Sequence, residues 1–131
     1  MKPVVGDRLP PFEIPRVSTE AMKQWAVFLA DPNRIHLDVE VVKAKGLGDR
    51  VINQGPINVA YMMNMLMLAF PGARIEWMET RFLDNVYGDE KAMATGTVTA
   101  IDGDEVSCEM ALDIEGRGIV NSGRARLRLQ S

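Results

Sequence analysis

Gly55-Pro56-Ile57-Asn58-Val59-Ala60-Tyr61-Met62-Met63-Asn64-Met65-Leu66-Met67-Leu68-Ala69-Phe70-Pro71-Gly72 is the stretch on which the fold turns. Between Ile57 and Phe70 only Asn58 and Asn64 are conventionally polar, so the segment reads as a helix that is apolar all round and buried on nearly every side. Pro56 fits a first helical turn, and Pro71-Gly72 ends the helix. At about 21 Å it is too short to cross a bilayer. In a chain of 131 residues, something must wrap around it.

The second half of the chain supplies the wrapper. Segments 73–86, 90–102, 104–115 and 118–129 are separated by Tyr87-Gly88-Asp89, Asp102-Gly103 and Gly116-Arg117-Gly118, all of them turn chemistry. In the third segment Val106, Cys108, Met110, Leu112 and Ile114 alternate with polar or small residues; in the fourth, Ile119, Ala125, Leu127 and Leu129 alternate with Ser122, Arg124, Arg126 and Arg128. A two-residue Gly116-Arg117 loop pairs Ile114 with Ile119, Cys108 with Ala125 and Val106 with Leu127 on one face. The same register sets Glu109 opposite Arg124 and Glu105 opposite Arg128 on the other. The expected fold class is α+β: an antiparallel β-sheet wrapped around a long buried central helix.

No repeat, low-complexity tract or linker divides the chain, so one domain spanning 1–131 is expected. Apolar residues make up 47% and charged residues 25%, an ordinary globular mix. Fifteen Lys and Arg against eighteen Asp and Glu leave a net charge of −3, which lacks the basic footprint of a nucleic-acid binder. Cys108 is the one cysteine, which excludes an internal disulfide framework and an all-Cys metal site. Lys2 has no apolar run behind it, so no secretory signal and a cytoplasmic location are expected.

Ahead of the long helix, Pro3, Pro10, Pro11 and Pro15 read as edge strand and turn. Ser18 or Thr19 caps a helix whose stripe is Ala21, Met22, Trp25, Phe28 and Leu29, stopped by Asp31-Pro32-Asn33. Val39 to Lys45 reads as a short helix ended by Gly46. His36 is the only histidine. Asp31 and His36 are five residues apart, which a regular helix does not align, but the Pro32-Asn33 break makes a turn that can bring them together. A carboxylate beside an imidazole is an acid/base pair suited to moving protons between water and carbon. The plainer alternative is that Asp31 caps a turn and His36 is an ordinary loop residue. Gln54-Gly55-Pro56 opens the long helix, where free N–H groups and the positive dipole end can hold a developing oxyanion and Gly55 admits close approach. A Gly-Pro helix start with no ligand is the alternative there.

Phe28-Leu29-Ala30-Asp31-Pro32-Asn33-Arg34-Ile35-His36-Leu37-Asp38, followed by Gln54-Gly55 before a long apolar helix, resembles the MaoC-like (R)-specific enoyl-CoA hydratase/3-hydroxyacyl-thioester dehydratase family. The resemblance implies the hot-dog fold and reversible addition of water across the 2,3-double bond of an enoyl thioester of coenzyme A or acyl carrier protein, with no metal and no redox cofactor. It makes Asp31 and His36 the catalytic dyad, the Gly55 N–H the donor to the thioester carbonyl, and Asn33 the residue that shapes the turn, with Gln54 beside the substrate. Ala30, Arg34 and Gln54 depart from the family pattern, which has a small residue or glycine, a proline and a histidine at those places. A homodimer or higher oligomer is expected, a heteromer being the variation, and neither nucleic acid nor membrane is an expected partner.

Two competing functions remain. One is a non-catalytic accessory subunit of a heteromeric hydratase. The other is an acyl-CoA thioesterase, which the lack of any Asp or Glu between Asp49 and Glu76 disfavours. Met62, Met63, Met65 and Met67 read as core filler, with a pliable acyl tunnel as the functional alternative. Arg124, Arg126 and Arg128 read as a salt-bridged solvated face, and Trp77 and Phe82 as core or interface residues.

Overall fold

The computed structural model describes residues 2–130. The elements run β1 (Phe12–Ile14), α1 (Thr19–Phe28), a 3₁₀ turn (Arg34–His36), α2 (Val39–Ala44), α3 (Gly55–Ala69), β2 (Arg74–Phe82), β3 (Ala92–Asp102), β4 (Glu105–Ile114) and β5 (Gly118–Arg128). The five strands form one antiparallel sheet in the order β1-β3-β4-β5-β2. Helix α3 lies on its inner face against β1, β3 and β4. Val98, Val106, Cys108, Leu112, Ala125 and Leu127 of the sheet share a buried core with Met62, Met65 and Leu66 of the helix. Among the described residues, no helix is long and apolar enough to cross a membrane.

Gly96 brings sheet and helix this close: a Cβ there would stand 2.9 Å from the Met65 methyl group and push the layers apart. Gly123 does the same within the sheet, since a Cβ there would stand 2.6 Å from the Glu79 carbonyl oxygen of β2 and 2.9 Å from the Met110 methyl of β4. Burial pushes the Cys108 thiol up to about 11, so it stays a neutral core group.

The β4–β5 register follows the expected pairing from Glu105↔Arg128 through Val106↔Leu127 and Cys108↔Ala125 to Glu109↔Arg124. It then slips at a bulge after Leu112, so Asp113 rather than Ile114 faces Ile119. The expected Ile114–Ile119 pair is therefore absent. The extra residue is Val120, which turns inward and is buried, while Ile119 is 55% exposed. On the outer face, Arg128 meets Glu76 at 2.7 Å, Asp104 at 2.5 Å and Glu105 at 3.4 Å, and Arg124 pairs with Glu79. Trp77 is not a core residue: it lies on this outer face under the guanidiniums of Arg126 and Arg124, at 5.0 and 5.8 Å from its ring. Phe82 is also no core residue, being 56% exposed at the end of β2.

Helix α3 departs from all-round burial. Met62, Met65 and Leu66 are sealed in the core, but Met63, Asn64, Met67 and Leu68 form an exposed stripe. One chain thus covers only part of this apolar helix.

Candidate active site

Helix α1 ends in a way that aims Asp31. The Ala30 N–H donates to Val27 O at 3.1 Å and the Asp31 N–H to Ala26 O at 3.0 Å, with Ala30 at φ +50°. This is the double hydrogen bond of a Schellman cap, with alanine at the left-handed position that glycine favours. The helix thus ends at Phe28, leaving Leu29 as its C-cap and Ala30 as the turn residue before the Asp31-Pro32 step. The Asp31 carboxylate then divides its oxygens: Oδ1 accepts the Asn33 N–H at 3.1 Å, and Oδ2 lies 3.3 Å from His36 Nε2. Asn33 caps the following 3₁₀ turn, its Oδ1 accepting the Ile35 N–H at 3.2 Å. Arg34, at the place of the family's proline, donates to Asp38 Oδ2 at 2.8 Å across that turn. Its guanidinium and the Glu40 N–H hold the Asp38 carboxyl below its ordinary range.

His36 is buried and fixed on both sides. The Ile52 N–H donates to Ile35 O at 2.9 Å, and the Ile52 carbonyl lies 2.6 Å from His36 Nδ1. A carbonyl only accepts, so Nδ1 carries a proton. In the neutral ring Nε2 would then face the Asp31 carboxylate with a lone pair. The 3.3 Å contact is attractive when one proton lies between the two groups, as imidazolium with carboxylate or imidazole with carboxylic acid. Asp31 is partly open to solvent while His36 is not, so water reaches the pair from the carboxylate side.

Ile52 also ties this pair to the start of α3, which begins three residues later at Gly55. As the first helical residue, Gly55 has an N–H with no acceptor inside the helix. The Phe82 ring lies against it: a Cβ on Gly55 would stand 3.1 Å from Phe82 Cε1. The structure thus brings Asp31, His36 and Asn33 into one turn and ties that turn, through Ile52, to the segment that enters α3 at Gly55. It does not turn Gln54 outward. Gln54 is fully buried, and its Nε2 donates to Met22 O at 2.7 Å, tying α1 to the head of α3. Its amide nitrogen is thereby a tether within the chain, because a buried amide takes the nearest available carbonyl.

Sequence reasoning also passed over polar residues near this helix start. Asn53 donates to Asn58 Oδ1 at 2.8 Å and reaches the Tyr61 hydroxyl at 3.5 Å. Burial raises the Tyr61 hydroxyl above its ordinary value. Asn121, on the inner face of β5 and opposite Phe82, is fully buried. A polar residue at an inward position of an alternating strand was the available signal. Among the described residues, no group of three or more His, Cys, Asp or Glu could hold a metal ion.

No protein-family model matches the chain, and no curated protein matches it in sequence. Solved structures do match. The (R)-hydratase from A. caviae, involved in PHA biosynthesis, has a TM-score of 0.88 at 19% identity over 97% of each chain. A chain of the ChsH1-ChsH2 complex from Mycobacterium tuberculosis scores 0.86 at 17% identity, over 97% of this chain and 98% of that one. The MaoC-like dehydratase from Rhodospirillum rubrum scores 0.79 at 21% identity, over 98% and 94%. The chain has the hot-dog fold that these structures share. At these identities the likeness is one of fold, and chemistry rests on this chain's own residues.

Proposed function

We propose that the chain is a hydratase/dehydratase that reversibly adds water across the 2,3-double bond of an enoyl thioester carried on coenzyme A or acyl carrier protein. The observation that carries this reading is the Asp31–His36 contact, 3.3 Å long and linked through Ile52 to the head of α3. A thioester carbonyl at the Gly55 N–H would gain from the free donor and the helix dipole as charge builds on its oxygen. Water beside Asp31 gives up a proton to the carboxylate, and its oxygen bonds to C3. The π electrons of the double bond take the His36 Nε2 proton at C2. Asp31 is then a carboxylic acid and His36 neutral, and one proton crossing their contact resets the pair. Dehydration is the same path reversed. The exposed side chains of Val27 and Phe28 on the last turn of α1, and of Leu37 after His36, supply apolar surface for an acyl chain beside the dyad.

Asp31→Asn and His36→Ala are each expected to lower turnover of an enoyl-CoA by at least about a hundredfold while leaving the thermal midpoint within a few degrees. Unchanged activity in either variant overturns the assignment. The accessory-subunit reading is favoured by one observation: a structure of the same fold is a two-component complex. Wild-type turnover by the isolated chain, abolished by the dyad variants, decides against it.

A further inference from the structure

Four buried polar side-chain atoms lack a hydrogen-bond partner among the described residues: Asn53 Oδ1, Gln54 Oε1, and both Nδ2 and Oδ1 of Asn121. Asn53 and Gln54 immediately precede Gly55. Asn121 lies on the sheet one ladder step from the ring that covers Gly55. It pairs across the ladder with Leu112 on one side and Phe82 on the other, and cross-strand partners share a face. Leu112 is in the core and the Phe82 ring touches Gly55, so Asn121 is on the inner face of the sheet, next to the residue that covers the head of α3. Asn53 and Gln54 each have their amide nitrogen engaged, whereas Asn121 has neither end engaged and no exposure at all. Leaving a carboxamide in that condition is costly, and leucine or valine would fill a strand position in an apolar core without the cost. A retained donor and acceptor, side by side, complement a hydroxyl, which accepts from Nδ2 and donates to Oδ1.

We infer that Asn121 is a specificity-determining residue whose carboxamide receives a hydroxyl group on the acyl chain of the substrate, so that the preferred thioesters carry oxygen on the chain beyond C3. The inference rests on the thioester reading of the site. Phe82 is mostly exposed, touches Gly55 with its ring and pairs with Asn121 across the ladder, so a chain reaching from the head of α3 to Asn121 would have to displace that ring. Asn53 Oδ1 and Gln54 Oε1 add acceptors at the same end of the helix.

The test compares enoyl-CoA esters of equal length with and without a hydroxyl at C4, C5 or C6, using the wild-type chain and Asn121→Leu. The wild type is expected to favour at least one hydroxylated ester by about tenfold or more in kcat/KM, since a site built to hydrogen-bond a hydroxyl rejects the analogue lacking it. Asn121→Leu is expected to bring that ratio within about threefold and to raise the thermal midpoint by about 3 °C or more, because it removes an unpaired buried amide. If Asn121→Leu does not fold, Asn121→Ala is expected to lose the same preference. A wild type that prefers no hydroxylated ester, or a folded variant that keeps the preference, overturns the inference while leaving the dyad assignment intact. A wild type that hydrates no ester of either kind refutes the thioester reading, and the inference with it.

Discussion

Ala30 sits at the hinge between a helix and a candidate catalytic carboxylate, at φ +50°. A Cβ in the left-handed region costs about 1–2 kcal/mol, and glycine gives back roughly 0.5–1 kcal/mol through its freer unfolded chain. The balance favours glycine. Ala30→Gly is expected to stabilise the fold by about 0.5–1 kcal/mol in urea denaturation and to keep the cap geometry. A loss of stability would mean that the alanine methyl makes contacts worth more than the backbone strain. The Pro32-Asn33 break made a turn legible in the sequence, and with it the meeting of Asp31 and His36. Legibility ended at the amides. Nothing in Gln54-Gly55 says which way the Gln54 side chain points, because its partner, the Met22 carbonyl, is 32 residues away in the chain. Asn121 was open to reading as a polar residue in phase with Ala125 and Leu127, but a bulge two residues earlier conceals that phase.

At the scale of elements, alternation carried the β4–β5 register over most of its length, since apolar residues met apolar ones and Arg124 and Arg128 met acids. It failed where Ile119 and Val120 are both apolar and adjacent, because a period of two has no preference between them. The bulge settles the choice by burying Val120. Alternation also does not reveal the role of two glycines: Gly96 lets the sheet approach α3, and Gly123 lets β2, β4 and β5 pack closely together. Gly123 is the more demanding of the two, because its nearest neighbour is the Glu79 carbonyl oxygen of the backbone, 2.6 Å from an added Cβ, rather than a flexible side-chain end. Gly123→Ala must displace strand β2 or β5, and is expected to cost about 1–3 kcal/mol in chemical denaturation. Gly96→Ala also meets backbone, at Glu109 O 3.2 Å away, but its tightest contact is the movable Met65 methyl, so its cost should be the smaller. A Gly123→Ala variant as stable as wild type would show that the two strands are free to separate locally.

The whole molecule has two surfaces that a single chain does not cover. Strand β2 pairs with β5 on one side and forms the open edge of the sheet on the other. Along α3, Met63, Met67 and Leu68 face solvent, Leu68 at 67% exposure, on a helix whose composition reads as fully buried. An open edge strand invites pairing, and an apolar helical stripe is costly in water. A second copy of the chain satisfies both needs at once, since a two-fold operator sets like edge against like edge and like stripe against like stripe. The half-exposed state of the apolar helix is what the sequence reading missed, because composition does not say which face of a helix the rest of the chain covers. Light scattering at micromolar concentration is expected to give the mass of at least two chains of 14.5 kDa. Met67→Glu with Leu68→Glu should shift the mass toward one chain, because a dimer would have to bury two carboxylates from each copy without partners. A monomeric wild type would mean that the stripe is tolerated in water, and the double variant would then leave the mass unchanged.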